Sequence, residues 1–129
     1  MNIPTSIIET ILNSEAKALA TLGDTINVVP VSTIKVLDNQ IILVNYFMGK
    51  TLENIQKNPK VAFTCWKGLA GCQIKATAKH VTEGPLLEDI KIWVKEILPD
   101  RIVRGLIVLE PEEVYDISAT AEVPGVRIA

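Results

Sequence analysis

The sequence contains too few histidines and cysteines for most metal sites and nucleophile sites. Among 129 residues there is one histidine, His80, and there are two cysteines, Cys65 and Cys72. A structural zinc site takes four ligands, so here it would need carboxylates as well. Any Ser-His-Asp or Cys-His arrangement must use His80, which we predict near the end of a strand on its apolar face, where a structural or solvated role is the commoner one. The two cysteines by themselves indicate reduced, half-buried thiols.

Other absences exclude whole classes of protein. The formal net charge is −2, so no basic field is present to attract nucleic acid. Fully apolar runs stop at four or five residues, as in 106–109, whereas a membrane helix needs about 20. The first residues lack the basic segment of a signal peptide, and the glycine patterns of dinucleotide-binding and P-loop sites do not occur. We therefore expect a soluble, cytoplasmic protein with neither a nucleic-acid partner nor a membrane partner.

What is present is an ordinary globular composition, with 48% hydrophobic and 22% charged residues. The length suits one domain with its own core. Strand-like runs occur at 18–22, 26–36, 40–46, 61–66, 72–83 and 102–109, with 113–117 continuing the last. Turns too short for parallel crossovers join most of these runs, and closure would remove exposed strand edges. The pattern predicts a mainly β protein with flanking α-helices: a six-stranded antiparallel split β-barrel of Greek-key type with two or three short helices.

Local signals predict several details of these elements. Pro30 lies within the second run, and because proline cannot donate to a sheet ladder, we expect this strand to be at an edge or bulged there. The pair Asp38-Asn39 indicates a hairpin turn. An amphipathic pattern near the N-terminus predicts a helix capped by Thr5 or Ser6, with Glu9 completing a capping box.

One junction between a strand and a helix carries the chemistry of an anion site. A β-rich run leads through Gly49 to Lys50 and Thr51, and a short helical pattern follows at 52–57. Free N–H groups and the helix dipole attract anions at a helix N-terminus. Lys50 adds a full charge and Thr51 adds a hydroxyl donor. Junctions of this kind are common and most bind nothing, so this stretch alone favours an ordinary capped turn.

Further polar side chains occur on the neighbouring predicted strands. They are Ser32, Thr33 and Lys35 on the strand with the proline, Asn45 at the end of the next strand, and Gln73 on the polar face of the long strand. Amide and backbone donors suit the edge of a flat heteroaromatic ring, while Lys50 and Thr51 would hold a phosphate. We interpret the whole set as a binding site for a heteroaromatic phosphate.

Several pieces of sequence share an order and spacing that is typical of one family. They are Ala20-Thr21-Leu22-Gly23, Pro30-Val31-Ser32-Thr33, Gly49-Lys50-Thr51-Leu52 with Asn54-Ile55, Asn58-Pro59-Lys60-Val61, Trp66 and Gln73-Ile74. Together they resemble the pyridoxamine 5′-phosphate oxidase-like, FMN-binding split-barrel superfamily, and within it the short FMN-binding proteins. The resemblance covers residues 18–83, with a looser similarity at 108–117.

The resemblance implies a single FMN-binding split-barrel domain over residues 1–129, with 118–129 as an extended tail. It also implies a homodimer with FMN at the interface between its subunits. The implied cofactor-binding residues are Val31, Ser32 and Thr33 along the isoalloxazine ring, Val44 and Asn45 beside it, Lys50 and Thr51 at the 5′-phosphate, and Gln73 reaching the flavin from the partner subunit.

The resemblance leaves several functions open. The first is a small FMN-dependent oxidoreductase, of the flavin reductase type or related to pyridoxamine phosphate oxidase, that uses a small-molecule electron donor or substrate. The alternatives are a non-catalytic FMN-binding electron carrier, a dimer module without cofactor, and a relative that binds a deazaflavin or haem. Two departures count against the vitamin oxidase reaction itself: Arg127 has no histidine after it in an Arg-x-His element, and Lys50-Thr51 stands where the oxidases tend to have Arg-Lys.

Overall fold

The computed structural model describes all 129 residues and contains seven strands and three helices. The strands are β1 (Ala16–Leu22), β2 (Ile26–Pro30), β3 (Ile34–Leu37), β4 (Gln40–Asn45), β5 (Lys60–Lys67), β6 (Ala70–Val81) and β7 (Gly105–Asp116). The helices are α1 (Thr5–Asn13), α2 (Lys50–Lys57) and α3 (Pro85–Ile97). All neighbouring strands are antiparallel, so the predicted fold class is confirmed.

The strands form one sheet in the order β2-β1-β5-β6-β7-β4-β3. Although β2 and β3 are consecutive in the sequence, they lie at the two ends of this order. The three residues between them bond to both edges: the N–H of Val31 donates to the carbonyl of Lys17 on β1 at 3.0 Å, and the N–H of Val44 on β4 donates to the carbonyl of Thr33 at 3.1 Å. The sheet therefore curls into a split barrel that the chain itself closes at residues 31–33.

The predicted count of six strands is one too low because of Pro30. The predicted strand 26–36 divides at this proline, which is the last residue of β2, and the chain resumes as β3 four residues later. Since β2 ends the sheet order, the predicted edge position of the proline-containing strand is confirmed. The turn at Asp38-Asn39 is also confirmed: both residues have positive φ, 50° and 61°, as a two-residue hairpin of the primed type requires.

The predicted cap of the first helix is wrong. The residue that precedes α1 is Pro4, and no side chain caps the helix. Instead of completing a capping box, Ser6 lies inside the first turn, where its carbonyl accepts the hydroxyl of Thr10 at 2.9 Å. Proline fixes φ at the value that helix entry needs, so the helix begins one residue earlier than a Thr5 cap would place it.

Two apolar clusters hold these elements together. The larger fills the barrel, where Phe63 and Ile74 have no exposed surface. The smaller joins α3 to the outer faces of β4 and β7, around Val94 and Leu106. Burying one such large side chain contributes about 1.5–3 kcal/mol, so both clusters hold the elements beside β4 firmly in place.

The C-terminal residues fold back along β7. The N–H of Val114 donates to the carbonyl of Ala129 at 2.9 Å, and the N–H of Asp116 donates to the carbonyl of Val126 at 2.8 Å.

No helix has both the length and the apolar character needed to cross a membrane.

Candidate functional site

A groove lies where the ends of β2 and β4 meet the beginning of α2. Its volume is about 250 Å³. Half of its lining is hydrophobic and half is polar. The lining residues are Asn27, Val29, Pro30, Val31, Ser32, Val44, Tyr46, Phe47, Met48, Gly49, Lys50 and Thr51. The groove therefore lies beside residues 31–33, where the chain closes the barrel.

One end of the groove is built to attract an anion. Helix α2 begins at Lys50 with no side-chain cap, and its first helical bond runs from the N–H of Glu53 to the carbonyl of Gly49 at 3.2 Å. The N–H groups that precede this bond have no acceptor within the helix. Lys50 and Thr51 belong to the groove lining, so an ammonium group and a hydroxyl stand beside the positive end of the helix dipole.

The two side chains at this end differ in burial. Thr51 is 1% exposed, and its hydroxyl oxygen accepts a hydrogen bond from the amide of Asn27 at 3.1 Å. The hydroxyl hydrogen of Thr51 is thus left for a ligand oxygen. Lys50 has about half of its side chain exposed, and its Nζ lies 3.4 Å from the carboxylate of Glu53. An exposed ion pair of this kind contributes little, so Lys50 can turn to a stronger anion at low cost.

Buried polar bonds fix the position of α2 against the barrel. Asn54 is 1% exposed; its Nδ2 donates to the hydroxyl of Thr21 at 3.1 Å and to the carbonyl of Thr25 at 3.3 Å. A Cβ on Gly23 would overlap the amide of Asn54, so only glycine fits there. The anion end of the groove is therefore held in place by a side chain three residues beyond Thr51.

The other end of the groove is an apolar strip. Val31 and Val44 are buried and Val29 is partly buried, while Ser32 is exposed between the two barrel edges. The residues of the strip belong to the ends of β2 and β4 and to the closing segment 31–33, which is hydrogen-bonded to β4. An apolar surface with a donor-rich end suits a ring system that carries an anionic chain.

Thr33 and Asn45 support the groove from behind rather than lining it. Thr33 is 6% exposed, and its hydroxyl oxygen accepts the hydroxyl of Tyr46 at 2.9 Å. Asn45 is 2% exposed, and its Oδ1 accepts the N–H of Met48 at 2.7 Å. These two bonds shape the loop 46–49, which forms one wall. Direct contact of Thr33 and Asn45 with a ligand stays a prediction.

Gln73 lies away from the groove of its own chain. It is partly buried on β6, opposite Thr64 on β5 and Tyr115 on β7. The structure thus brings five of the eight predicted residues together in one lining, namely Val31, Ser32, Val44, Lys50 and Thr51. The assignment of Gln73 to a partner's groove stays a prediction.

The sequence analysis did not assign the groove wall that the loop 46–49 forms, or the arginines that contact this loop. Tyr46, Phe47 and Met48 all line the groove. The Nε of Arg104 donates to the carbonyl of Tyr46 at 2.8 Å, and the Arg101 guanidinium lies 5.4 Å from the Tyr46 ring centre. An exposed aromatic at a loop tip, 80% exposed in the case of Phe47, is the signal that could have indicated this wall.

No group of three or more histidine, cysteine, aspartate or glutamate side chains is placed to hold a metal ion. The single histidine, His80, lies outside the groove lining, with its Nε2 buried against Gly105 and without a partner. The chemistry of the groove is therefore that of hydrogen-bond donors and apolar surface.

The chain matches known proteins in sequence. The family model for pyridoxamine 5′-phosphate oxidase matches residues 4–118. An uncharacterised protein of Methanocaldococcus jannaschii is 36% identical over 101 residues, which make up 72% of this chain and 65% of that protein. The chain thus spans just under two thirds of the length of this relative.

Solved structures share the fold at low sequence identity. HupZ of Group A Streptococcus has a TM-score of 0.83 at 20% identity, over 98% of this chain and 99% of that chain. An FMN-binding protein of Syntrophomonas wolfei has a TM-score of 0.74 at 18% identity, over 90% and 84%. The haem storage protein HutZ of Vibrio cholerae has a TM-score of 0.68 at 15% identity, over 89% and 94%, and an F420 reductase is also similar, with a TM-score of 0.66 at 13% identity, over 87% and 98%. Because the family model covers most of its length, this chain belongs to the pyridoxamine 5′-phosphate oxidase family.

Proposed function

We propose that the protein binds FMN in the groove, with the phosphate at Lys50 and Thr51 and the isoalloxazine ring along Val31 and Val44. The observation that carries this proposal is the pairing of an uncapped helix N-terminus with an apolar strip in one groove. A flavin mononucleotide has the matching halves, a planar ring and a dianionic phosphate. The Syntrophomonas wolfei relative, which shares the fold, is described as FMN-binding.

The lining favours a flavin over haem. Of the side chains that ligate haem iron, the groove lining has Tyr46 and Met48 but no histidine, and the Tyr46 hydroxyl is bound to Thr33. The chain's only histidine is partly buried elsewhere, and its Nε2 faces Gly105. A deazaflavin would occupy the same strip as FMN, and mass identification of the released ligand distinguishes the two.

The size of the groove supports a homodimer. About 250 Å³ is less than the roughly 300–1,000 Å³ of sites that enclose a small molecule. One chain would therefore cover only part of FMN. Ile26 and Val28 on β2, beside the groove, are 78% and 64% exposed, and apolar patches of this kind mark contact surfaces. Because Asn27 and Val29 line the groove and successive side chains of a strand face opposite sides, this patch lies on the other face of β2, where a second copy of the chain would cover it.

The bound flavin would carry the redox chemistry, as cofactors do, while the chain binds and orients it. Within the groove lining the ionisable side chains are Tyr46 and Lys50, and no carboxylate or histidine is present to move protons at the ring. We propose a small oxidoreductase of the flavin reductase type. The second candidate is an FMN-binding electron carrier. It is favoured by the same absence of an acid or base, because electron transfer needs no proton-moving side chain at the ring.

The visible spectrum of the purified protein tests the proposal directly. A flavin spectrum, with FMN identified by mass in the material released on denaturation, is the expected result. Protein that is colourless and takes up no added FMN would refute both candidates. With FMN bound, rapid oxidation of NADH or NADPH distinguishes the reductase from the carrier, which would turn over neither.

Replacing Gln73 with alanine tests the contribution of a partner subunit. Because Gln73 lies far from its own groove on the partly buried outer side of β6, its loss should weaken FMN in the dimer by about tenfold at most, the value of one or two hydrogen bonds. Fluorescence titration with FMN measures the effect. Gln56→Ala, an exposed glutamine on α2, is the control. Equal dissociation constants for wild type and Gln73→Ala would remove this residue from the site.

A further inference from the structure

A pair of cysteines lies inside the barrel, outside the groove. Cys65 on β5 and Cys72 on β6 are directly opposite each other in the sheet register. Their sulfur atoms are 3.5 Å apart, and the two residues are 0% and 1% exposed. Both thiols are free. A free cysteine often packs in a core as a small apolar side chain, and here two of them place their sulfur atoms directly against each other.

The backbone at this pair already suits a disulfide. Directly opposed residues of antiparallel strands have Cα atoms about 4.5–5.5 Å apart, which is within the roughly 4.4–6.8 Å range of disulfides. The sulfur atoms need only move from 3.5 Å to about 2.05 Å. Side-chain rotation supplies that movement, so the strands need not shift.

The two thiols lie in different electrostatic surroundings. A hydrogen bond from Cys72 is the largest cause that lowers the pKa of Cys65. The charge of Lys17, which lies opposite Cys65 on β1, and the hydroxyl of Ser14, the residue after α1, lower it further. Cys72 is opposite Asp116 on β7. The hydrogen bond that it gives to Cys65, its burial and the charge of Asp116 raise the pKa of Cys72. Cys65 is therefore the more acidic thiol of the pair and Cys72 the less acidic one.

The burial of the pair limits the reagents that can reach it. In thiol–disulfide exchange the thiolate must contact the disulfide that it attacks, and a fully covered cysteine cannot reach a bulky disulfide. A second groove, of about 380 Å³, extends to Lys17, the neighbour of Cys65, between α1 and α3. Cys65 itself does not line this groove, so a reagent that reaches its sulfur must be small enough to pass between packed side chains.

We propose that Cys65 and Cys72 form a redox-active dithiol that reduces a small hydroperoxide and closes to an intrachain disulfide. The Cys65 thiolate attacks the outer oxygen of the hydroperoxide. The O–O bond breaks, which leaves a sulfenic acid on Cys65, and the departing oxygen takes a proton to give an alcohol, or water from hydrogen peroxide. The Cys72 sulfur then attacks the Cys65 sulfur, the S–S bond forms and water leaves. Two thiols are oxidised by two electrons and one O–O bond is reduced.

Intact mass measurement of the reduced protein treated with hydrogen peroxide tests this site. The expected product is lighter by two hydrogens, has no thiol that N-ethylmaleimide can label, and yields a peptide in which Cys65 is linked to Cys72. Dithiothreitol should restore both thiols. The oxidised protein should also unfold at a higher urea concentration than the reduced one, because the cross-link restricts the unfolded chain.

Single variants test the assigned roles. Cys72→Ser should stop at the sulfenic acid, which dimedone labels on Cys65. Cys65→Ser should react at least about tenfold more slowly, since its remaining thiol is the one with the raised pKa. Lys17→Met should slow the wild-type reaction several-fold, whereas Lys79→Met, an exposed lysine on β6, should not.

Three results would overturn the proposal. The first is wild-type protein that gains oxygen atoms instead of losing two hydrogens. The second is a disulfide that joins two chains. The third is equal rates in Cys65→Ser and Cys72→Ser. If the serine variants fail to fold, the wild-type peptide map decides the question on its own, and none of these measurements requires bound flavin.

Discussion

The double variant Lys50→Ala, Thr51→Ala should bind FMN at least about tenfold more weakly and bind riboflavin nearly as well as the wild type does. A charge-assisted hydrogen bond contributes about 1.5–3 kcal/mol. Since Lys50 is half exposed, we take the lower end of this range for the pair, which corresponds to a factor of about ten. Riboflavin lacks the phosphate, so its affinity should fall only by the amount that a less well packed groove takes from both ligands. Fluorescence titration with each flavin gives the two dissociation constants, and their ratio is the readout.

The matched control is Lys57→Ala, at the other end of the same helix. Lys57 pairs with Asp24 at 2.6 Å and does not line the groove. It should leave the ratio of FMN to riboflavin affinity unchanged. Some preference for FMN should persist in the double variant, because the backbone N–H groups at the beginning of α2 remain. If both flavins weaken by the same factor, the phosphate is held elsewhere.

The largest effect on stability is expected from Asn54→Ala. This change removes a buried amide that donates to Thr21 and Thr25. Thr21 is 3% exposed. Once the Asn54 amide is removed, water cannot replace it as the donor to the Thr21 hydroxyl. Leaving a buried polar group unsatisfied costs about 1–3 kcal/mol, and the lost packing adds to it. We expect the free energy of unfolding to fall by about 2–3 kcal/mol, measured by urea denaturation.

A double-mutant cycle shows whether the loss comes from the bond to Thr21. Asn54→Ala combined with Thr21→Val should destabilise less than the sum of the two single changes, with a coupling of about 0.5–3 kcal/mol. Gln56→Ala, exposed on the same helix, should change the free energy of unfolding by less than about 0.5 kcal/mol. An Asn54 variant as stable as the Gln56 variant would show that α2 is held by its apolar face alone.

Local signals were enough to predict most of the secondary structure. The effect of Pro30 on a strand and the positive φ at Asp38-Asn39 depend only on the residues themselves, so pattern reasoning finds them. The predicted cap at Thr5 or Ser6 failed because several residues in a row satisfied the cap pattern, while the rigid Pro4 determined where the helix starts. The predicted number of strands was wrong for a related reason. Pro30 indicates an interruption of the run 26–36, but whether the run stays one bulged strand or divides into two depends on how the barrel closes.

The candidate site was predictable only in part. Lys50 and Thr51 follow from chain order at a strand–helix junction, and Ser32 from the polar side chains on the strand with Pro30, whereas Val31 and Val44 were implied only by the family resemblance. The bonds that shape the groove join distant residues, such as Tyr46 to Thr33 and Arg104 to Tyr46. Pairings of this kind are set by the register of a completed sheet, and the sequence carries no local signal for them.

Closure of the barrel at residues 31–33 has a consequence for folding. Strand β4 has one neighbour close in sequence, β3, and its other neighbour is β7, where Gly105 lies opposite Asn45. Sheets dominated by such distant pairs fold slowly, in milliseconds to seconds. The groove needs the ends of β2 and β4 side by side, so an unfolded chain, or one in which β7 is not yet paired, offers no site. A ligand held in the groove would then bind only the finished barrel, and each tenfold excess of ligand over its dissociation constant would add about 1.4 kcal/mol to the free energy of unfolding.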